Sequence, residues 1–188
     1  MKVSMTAFLF SSQTGRSNAG RGTGQFVPVQ AQFVDDFAHD PGVEPLVGTV
    51  RRVICAAPGY LKKHGIPQSP GDLATHTIVS AAAVTPTPEW RMLENGEPRV
   101  VKVQARMITT TNDSAVAAAM SGFGLTRLLS YQVADQLRDG KLKTVLTEFE
   151  PVALPVHLLH REGRHASPKA RAFLDLAIER LRANPALN

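Results

Sequence analysis

From about residue 52 onward, apolar residues come in short blocks separated by clusters of glycine, proline, asparagine and aspartate, the pattern of brief strands alternating with brief helices. Arg52 to Ala57 reads as a buried strand that stops at Pro58-Gly59, and Tyr60 to His64 as a short helix ended by Gly65. Ser69 stands before Pro70 as an N-cap does, with proline at the first helical position, where its missing N–H costs nothing. His76 to Ala82 is the next strand. Trp90 to Met92 and Arg99 to Val103 flank Glu94-Asn95-Gly96-Glu97, and an Asn-Gly pair between two such runs predicts a β-hairpin.

The most informative stretch follows. β-Branched residues at Ile108 to Thr111 hand over to Asn112-Asp113-Ser114 and then to the alanine-rich run Ala115 to Met120, which predicts strand, cap and helix. Gly122-Phe123-Gly124 allows the positive φ of a left-handed C-cap. Leu125 to Leu129 is then a strand, Tyr131 to Arg138 a helix closed by Asp139-Gly140, and Lys141 to Leu146 and Val152 to His160 are strands. Ser167 to Arg182 is an amphipathic helix whose apolar face carries Phe173, Leu174, Ala177, Ile178 and Leu181. Parallel strands need long crossovers, so this alternation predicts an α/β chain with a mainly parallel sheet.

The first 45 residues read differently. Residues 11–25 are rich in Ser, Gly, Thr and Asn without an apolar period, which predicts a flexible tail. Their glycines at 20, 22 and 24 follow no strand and lack the Lys-Ser or Lys-Thr pair of a phosphate loop. Apolar pairs at Phe33-Val34 and Phe37-Ala38 fit either a strand or a helix before the Pro41-Gly42 turn, and order is expected to begin near Val47.

Composition narrows the class. With 188 residues, 43% hydrophobic and 20% charged, the chain suits one domain or two small lobes. The net charge of +5 could suit nucleic acid, but the basic residues lie in small groups such as Arg51-Arg52 and Lys62-Lys63, mixed with carboxylates or beside apolar runs, so a solvated surface is the favoured reading. The single cysteine, Cys55, sits in the apolar run Val53 to Ala57 and reads as core, in keeping with a reducing compartment. No apolar run approaches the roughly 20 residues that cross a bilayer and no export signal is recognisable, so a cytoplasmic protein without membrane contact is expected.

Candidate chemistry gathers where the threonine-rich strand turns into the alanine-rich helix. Amides at a helix start lack internal partners and sit at the positive end of the helix dipole, so Thr110, Thr111 and Asn112 could hold a carboxylate or phosphate. Equally, Thr111 or Asn112 could merely cap the helix, which spacing alone favours. Ser80, at the end of its strand, is a weaker candidate. His157, His160 and His165 superficially suggest a metal, but strand positions three apart point to opposite faces and no ligand set stands near them. No nucleophile elbow, zinc-protease motif or paired carboxylates occur, so neither a catalytic residue nor a cofactor is expected. Trp90 reads as an anchor of the hairpin core.

Four strings taken together, Arg51 to Leu61, Pro67 to His76, Thr110 to Leu129 and His160 to Arg182, resemble the effector-binding domain of LysR-type transcriptional regulators in order and spacing. The resemblance covers residues 46–182. It implies a two-lobed fold similar to type-2 periplasmic binding proteins, a mixed sheet with helices on both faces, with the second lobe at about 56–157, the return strand and last helix of the first lobe at about 158–182, and a tail at 183–188. It also implies a small, acidic effector in a cleft lined by Thr110, Thr111 and Asn112, a dimer, and a population shift passed to attached DNA-binding domains. Two features depart from the family. The winged helix-turn-helix is not present, so this chain is not expected to contact an operator directly, and residues 1–45 do not resemble the start of the first lobe. A truncated regulator and a freestanding solute-binding protein of the same fold remain open beside the sensor reading.

Overall fold

Two units divide the chain: residues 1–49 with 154–188, and residues 50–153. The computed structural model describes residues 6–9, 32–33, 43–81, 89–159 and 167–187. The tail read over 11–25, the Pro41-Gly42 turn, His160 and His165 lie outside the described residues.

The first unit opens with strands β1 (Thr6–Leu9), β2 (Gln32–Phe33) and β3 (Val43–Val50). It is completed after the second unit by β11 (Leu154–Leu159) and helix α4 (Pro168–Arg182). Its sheet has the order β2-β1-β11-β3, with β1 parallel to β11 in the register Thr6 to Val156 and antiparallel to β2. Strand structure therefore begins ahead of Val47, because β1 takes its hydrogen bonds from β11, a partner some 150 residues away that no local pattern announces. Ser167 caps α4 through the Ala170 amide (3.3 Å), with Pro168 in the first turn, as expected. The apolar stripe is narrower than predicted. Leu174 is buried and Ala177, Ile178 and Leu181 are partly so, at helical spacings of three, four and seven, whereas Phe173 precedes the stripe by 100° and is 52% exposed. Gly48 marks a close approach: a Cβ there would stand 2.5 Å from the Leu187 carbonyl oxygen.

The second unit holds β4 (Arg52–Ala56), α1 (Pro58–His64), a 3₁₀ turn (Pro70–Thr75), β5 (Ile78–Ala81), β6 (Glu89–Glu94), β7 (Glu97–Lys102) and β8 (Ala105–Thr109). Then come α2 (Asn112–Met120), β9 (Leu125–Leu129), α3 (Ala134–Arg138) and β10 (Lys143–Val145). The five-stranded sheet runs β10-β4-β9-β5-β8. It is mixed and not mainly parallel: β9-β5 and β5-β8 pair parallel, but β10-β4 and β4-β9 pair antiparallel. β4 reaches this sheet from the other unit without a crossover helix, so the alternation that fixes the direction of β5, β8 and β9 does not apply to it.

Local chemistry sets most of the boundaries. Asn95 and Gly96 both have positive φ (53° and 81°), as a two-residue hairpin turn requires. Gly122 (80°) and Gly140 (70°) end α2 and α3 in the left-handed region. At the 3₁₀ turn the Asp72 carboxylate accepts the Gln68 and Ser69 amides (2.8 and 2.9 Å), so Asp72 does the bonding at the terminus where Ser69 takes the extended cap position.

Two cores cover the two faces of the sheet. On one face Ile54, Ile78, Leu125 and Val145 lie beneath Trp90 and Met92 of the β6-β7 hairpin. On the other, Val53, Cys55, Val79, Ala81 and Leu128 lie beneath Ala115, Val116 and Ala119 of α2. Arg51 and Glu150, near the two ends of this unit, are ion-paired at 2.9 Å. Arg51 also exchanges backbone contacts with Ser130, donating to its hydroxyl (3.1 Å) and accepting from its amide (2.8 Å). Burial raises the Glu150 carboxyl despite the opposing pull of Arg51.

Candidate functional site

The register of β5 against β8 sets Ser80 opposite Ile108 and Ala81 opposite Thr109, so the carboxyl ends of two parallel strands lie side by side. Ligands of open α/β sheets bind beyond such ends. Thr109 is buried, and its hydroxyl donates to the Thr111 carbonyl (3.0 Å), which holds the turn out of β8. Thr110 and Thr111 are exposed. Thr111 is the N-cap of α2, its hydroxyl accepting from the Ser114 amide (3.2 Å) and lying 2.9 Å from the Ser114 hydroxyl. The capping alternative is thus realised at Thr111.

Asn112 begins the helix, and its side-chain oxygen is buried without a hydrogen-bond partner. That is a costly condition for an amide oxygen unless a donor arrives from elsewhere. Among the described residues no hydrogen bond engages the hydroxyls of Thr110 or Ser80. The structure therefore brings all four sequence-predicted residues to one edge of the sheet. It leaves Thr110 and Ser80 with unused hydroxyls, Asn112 with an unused acceptor, and Thr111 with its hydroxyl committed to the helix.

Sequence reasoning missed the arginines on the hairpin face. Side chains alternate along a strand, and Leu125 and Ile78 belong to the core beneath the hairpin, so Arg127 and Ser80 point to that same face. Ile78 pairs with Leu125 and Val79 with Thr126 in the β5-β9 register, and Ser80 and Arg127 are the next residues on their strands. The Arg127 guanidinium lies 5.0 Å from the centre of the Trp90 ring and donates weakly to the Arg91 carbonyl (3.4 Å). Burial, aided by the positive charge of Arg52, lowers its pKa to about 10. Arg52 on β4 is itself lowered by burial and by Arg91. Arg52, grouped with Arg51 in the solvated-surface reading, is half-buried, and so is Arg127, which that reading did not single out. Their strand positions would face water in a sheet covered on one side, but this sheet is covered on both.

Other chemistry is sparse among the described residues. No group of three or more His, Cys, Asp or Glu is placed to hold a metal ion. Cys55 is fully buried and its thiol is pushed up to about 12 by desolvation. A surface cavity of about 580 Å³, lined by Ala57, Tyr60, Lys63, His64, Met120 and Lys141 among others, lies past the carboxyl end of β4 and of α2, at the opposite edge of the sheet from Thr110. No described helix is long and apolar enough to cross a membrane.

Residues 33–182 match the LysR substrate binding domain family. The chain is similar to a probable HTH-type transcriptional regulator, LtrA, of Klebsiella pneumoniae (28% identical over 153 residues, 79% of this chain and 48% of that protein). It is also similar to an HTH-type transcriptional repressor of Pseudomonas aeruginosa (33% over 132 residues, 69% of this chain and 42% of that protein). It thus spans about half the length of the curated relatives it matches. Among solved structures it resembles the regulatory domain of CrgA, a LysR-type regulator of Neisseria meningitidis (25% identity, TM-score 0.63, 76% of this chain and 71% of that one). In fold it resembles the regulatory domain of AphB of Vibrio vulnificus treated with cumene hydroperoxide (21%, TM-score 0.63, 73% and 69%).

Proposed function

Because the chain belongs to the LysR substrate-binding domain family, with the two-lobed α/β fold of its regulatory domains, we propose that it is the effector-sensing part of a transcriptional regulator, cytoplasmic and not an enzyme. Its effector is a small organic anion held at the junction of β8 and α2. The observation that carries this reading is the turn from Thr110 to Asn112 beside the end of β5, exposed at Thr110 and Thr111 and half-buried at Asn112. There, free hydroxyls at Thr110 and Ser80, the unpartnered Asn112 oxygen and the start of a nine-residue helix face one edge of the sheet. Helix-start amides and hydroxyl donors suit a carboxylate or phosphate, and the Asn112 oxygen suits a hydroxyl or amino group on the same molecule. Contact with DNA belongs to a helix-turn-helix that the matched portion of the family does not include, and a dimer through the regulatory domain fits the family.

Peroxide sensing through a thiol is not supported for this chain. Its one cysteine is enclosed and protonated, where a sensor thiol needs exposure and a lowered pKa.

The test is a thermal-shift screen of small carboxylates and phosphate esters on the intact chain. A ligand at about 100 times its Kd should add roughly 2 to 3 kcal/mol of stability. Thr110→Ala should abolish that gain while leaving the melting temperature of the free protein unchanged, since the Thr110 hydroxyl bonds nothing. A screen in which no compound stabilises the protein, or in which Thr110→Ala retains the full shift, rejects the reading.

A further inference from the structure

We propose that Arg127 supplies the counter-charge of the effector site, its guanidinium binding the acidic group of the ligand on the sheet face shared with Ser80. The inference rests on the effector reading above and adds the residue that selects for charge.

Arg127 occupies a position that local structure would give to an apolar side chain. Its register partner on β4 is Ile54, it follows Leu125 by two along β9, and both belong to the core under the hairpin. A cation drawn into such a place is normally matched by a carboxylate. Arg51 pairs with Glu150, Arg99 with Glu94, and Asp135, Arg138, Asp139 and Lys141 form an exposed set, and none of these ion pairs includes Arg127. What Arg127 does have is the face of Trp90 and one long bond to a carbonyl, which orient the guanidinium without neutralising it. Arg52, two strand positions nearer the start of β4, adds positive field and no relief. A sequence that sets this half-buried charge against a neighbouring like charge, beside the apolar core under the hairpin, departs from the packing rule locally, as functional positions do.

Ser80 connects the arginine to the junction. It follows the Val79-Thr126 pair by one residue, as Arg127 does on the adjacent parallel strand, alternation turns both to the same face, and Ser80 is itself opposite Ile108, two residues before Thr110. An anion reaching Thr110 and Ser80 with one end therefore finds Arg127 one strand further across the sheet. The planar fork of the guanidinium favours a carboxylate or phosphate that can accept two parallel N–H bonds.

The chain carries its own reporter, because Trp90 is the only tryptophan. Intact protein is titrated with acetate, malonate, benzoate and inorganic phosphate by calorimetry, and the indole N–H resonance of Trp90 is followed in parallel. At least one of the four should saturate the protein and move that resonance. Arg127→Gln should weaken binding tenfold or more and abolish the movement, and Arg127→Lys should weaken it less. Lys63→Gln, on the opposite edge, should change neither. Arg127→Met, which suits the apolar face, provides the same comparison should the glutamine variant fold poorly. Equal affinity in wild type and either neutral variant overturns the proposal, as does the absence of saturable binding with all four anions. If Thr110→Ala loses binding and Arg127→Gln keeps it, the junction reading survives and this one falls. If the reverse is found, the arginine stands and the junction does not.

Discussion

Tyr60 carries two hydrogen bonds on one oxygen. Its hydroxyl accepts the Thr77 amide (3.0 Å) and lies 3.1 Å from His76 Nδ1, while its ring stacks on His64 at 4.5 Å. The Tyr60 oxygen can accept a second time or donate its own proton, so the direction of its bond to His76 Nδ1 follows the histidine tautomer. Burial holds the His76 pKa below its usual value, the charge of His64 adds to the lowering, and Asp72 opposes it. A histidine lowered on folding contributes stability that is complete above its unfolded pKa, near 6.5, and lost as pH falls through the lower folded value. The melting temperature of the wild type should therefore fall on acidification below about pH 6.5. His76→Gln, which keeps an acceptor for Tyr60, should flatten that part of the profile, and an identical slope in both proteins would remove His76 from the account. Glu150 works in the other direction, since its raised pKa makes its contribution greatest at low pH and weaker as pH rises through the folded value. Asp72, lowered mainly by the Gln68 and Ser69 amides, loses its contribution on acidification as His76 does. Cys55 illustrates a second residue-scale consequence. A thiol at about 12 is thiolate to the extent of on the order of one part in 10⁵ at pH 7, and its sulfur is also enclosed. Aromatic disulfide reagents should leave the folded protein unmodified and titrate one thiol after denaturation, whereas rapid labelling of the native state would contradict this burial.

At the scale of the element, α2 shows how a proposed binding position and a capping position can be neighbours with different tasks. Thr111 accepts from Ser114 and starts the helix, while Thr110, one residue earlier, is exposed and engages no described hydrogen bond. Thr111→Ala should cost about 1 kcal/mol of stability, and Thr111→Ser should restore most of it because serine caps equally well. Chemical denaturation of the two variants checks this, and equal stability of Thr111→Ala and wild type would assign the helix start to some other residue. Elements whose ends are written in local chemistry were legible from the sequence alone. Asn95-Gly96, Gly122 and Gly140 each name the backbone angle they later adopt. Arg127 was not legible, because Leu125-Thr126-Arg127-Leu128-Leu129 reads simply as a strand, and nothing local shows what its arginine meets. Only the sheet order and the hairpin reveal that this position faces Trp90.

Over the molecule as a whole, the same distinction separates what pattern reading reached from what it did not. The α/β class follows from alternation of elements, and the strands and helices of residues 52–146 fall near their expected places. The antiparallel setting of β4 and the central place of β1 beside β11 depend on partners far away in sequence, which a window of a dozen residues does not contain. Thr110, Thr111 and Asn112 were found as the end of one strand and the start of one helix and Ser80 as the end of another strand, and it took the β5-β8 register to place Ser80 beside the junction. Residues 50–153 form an uninterrupted stretch with two cores of their own, and Arg51 near its beginning is clasped to Glu150 near its close. A segment whose extremities already touch can be excised, or rejoined by a short linker and reopened at the Asn95-Gly96 turn, with both of its own cores kept whole. As an isolated polypeptide it should melt in one cooperative step, giving a small, spectroscopically tractable module on which each half of the proposed anion site can be measured by itself.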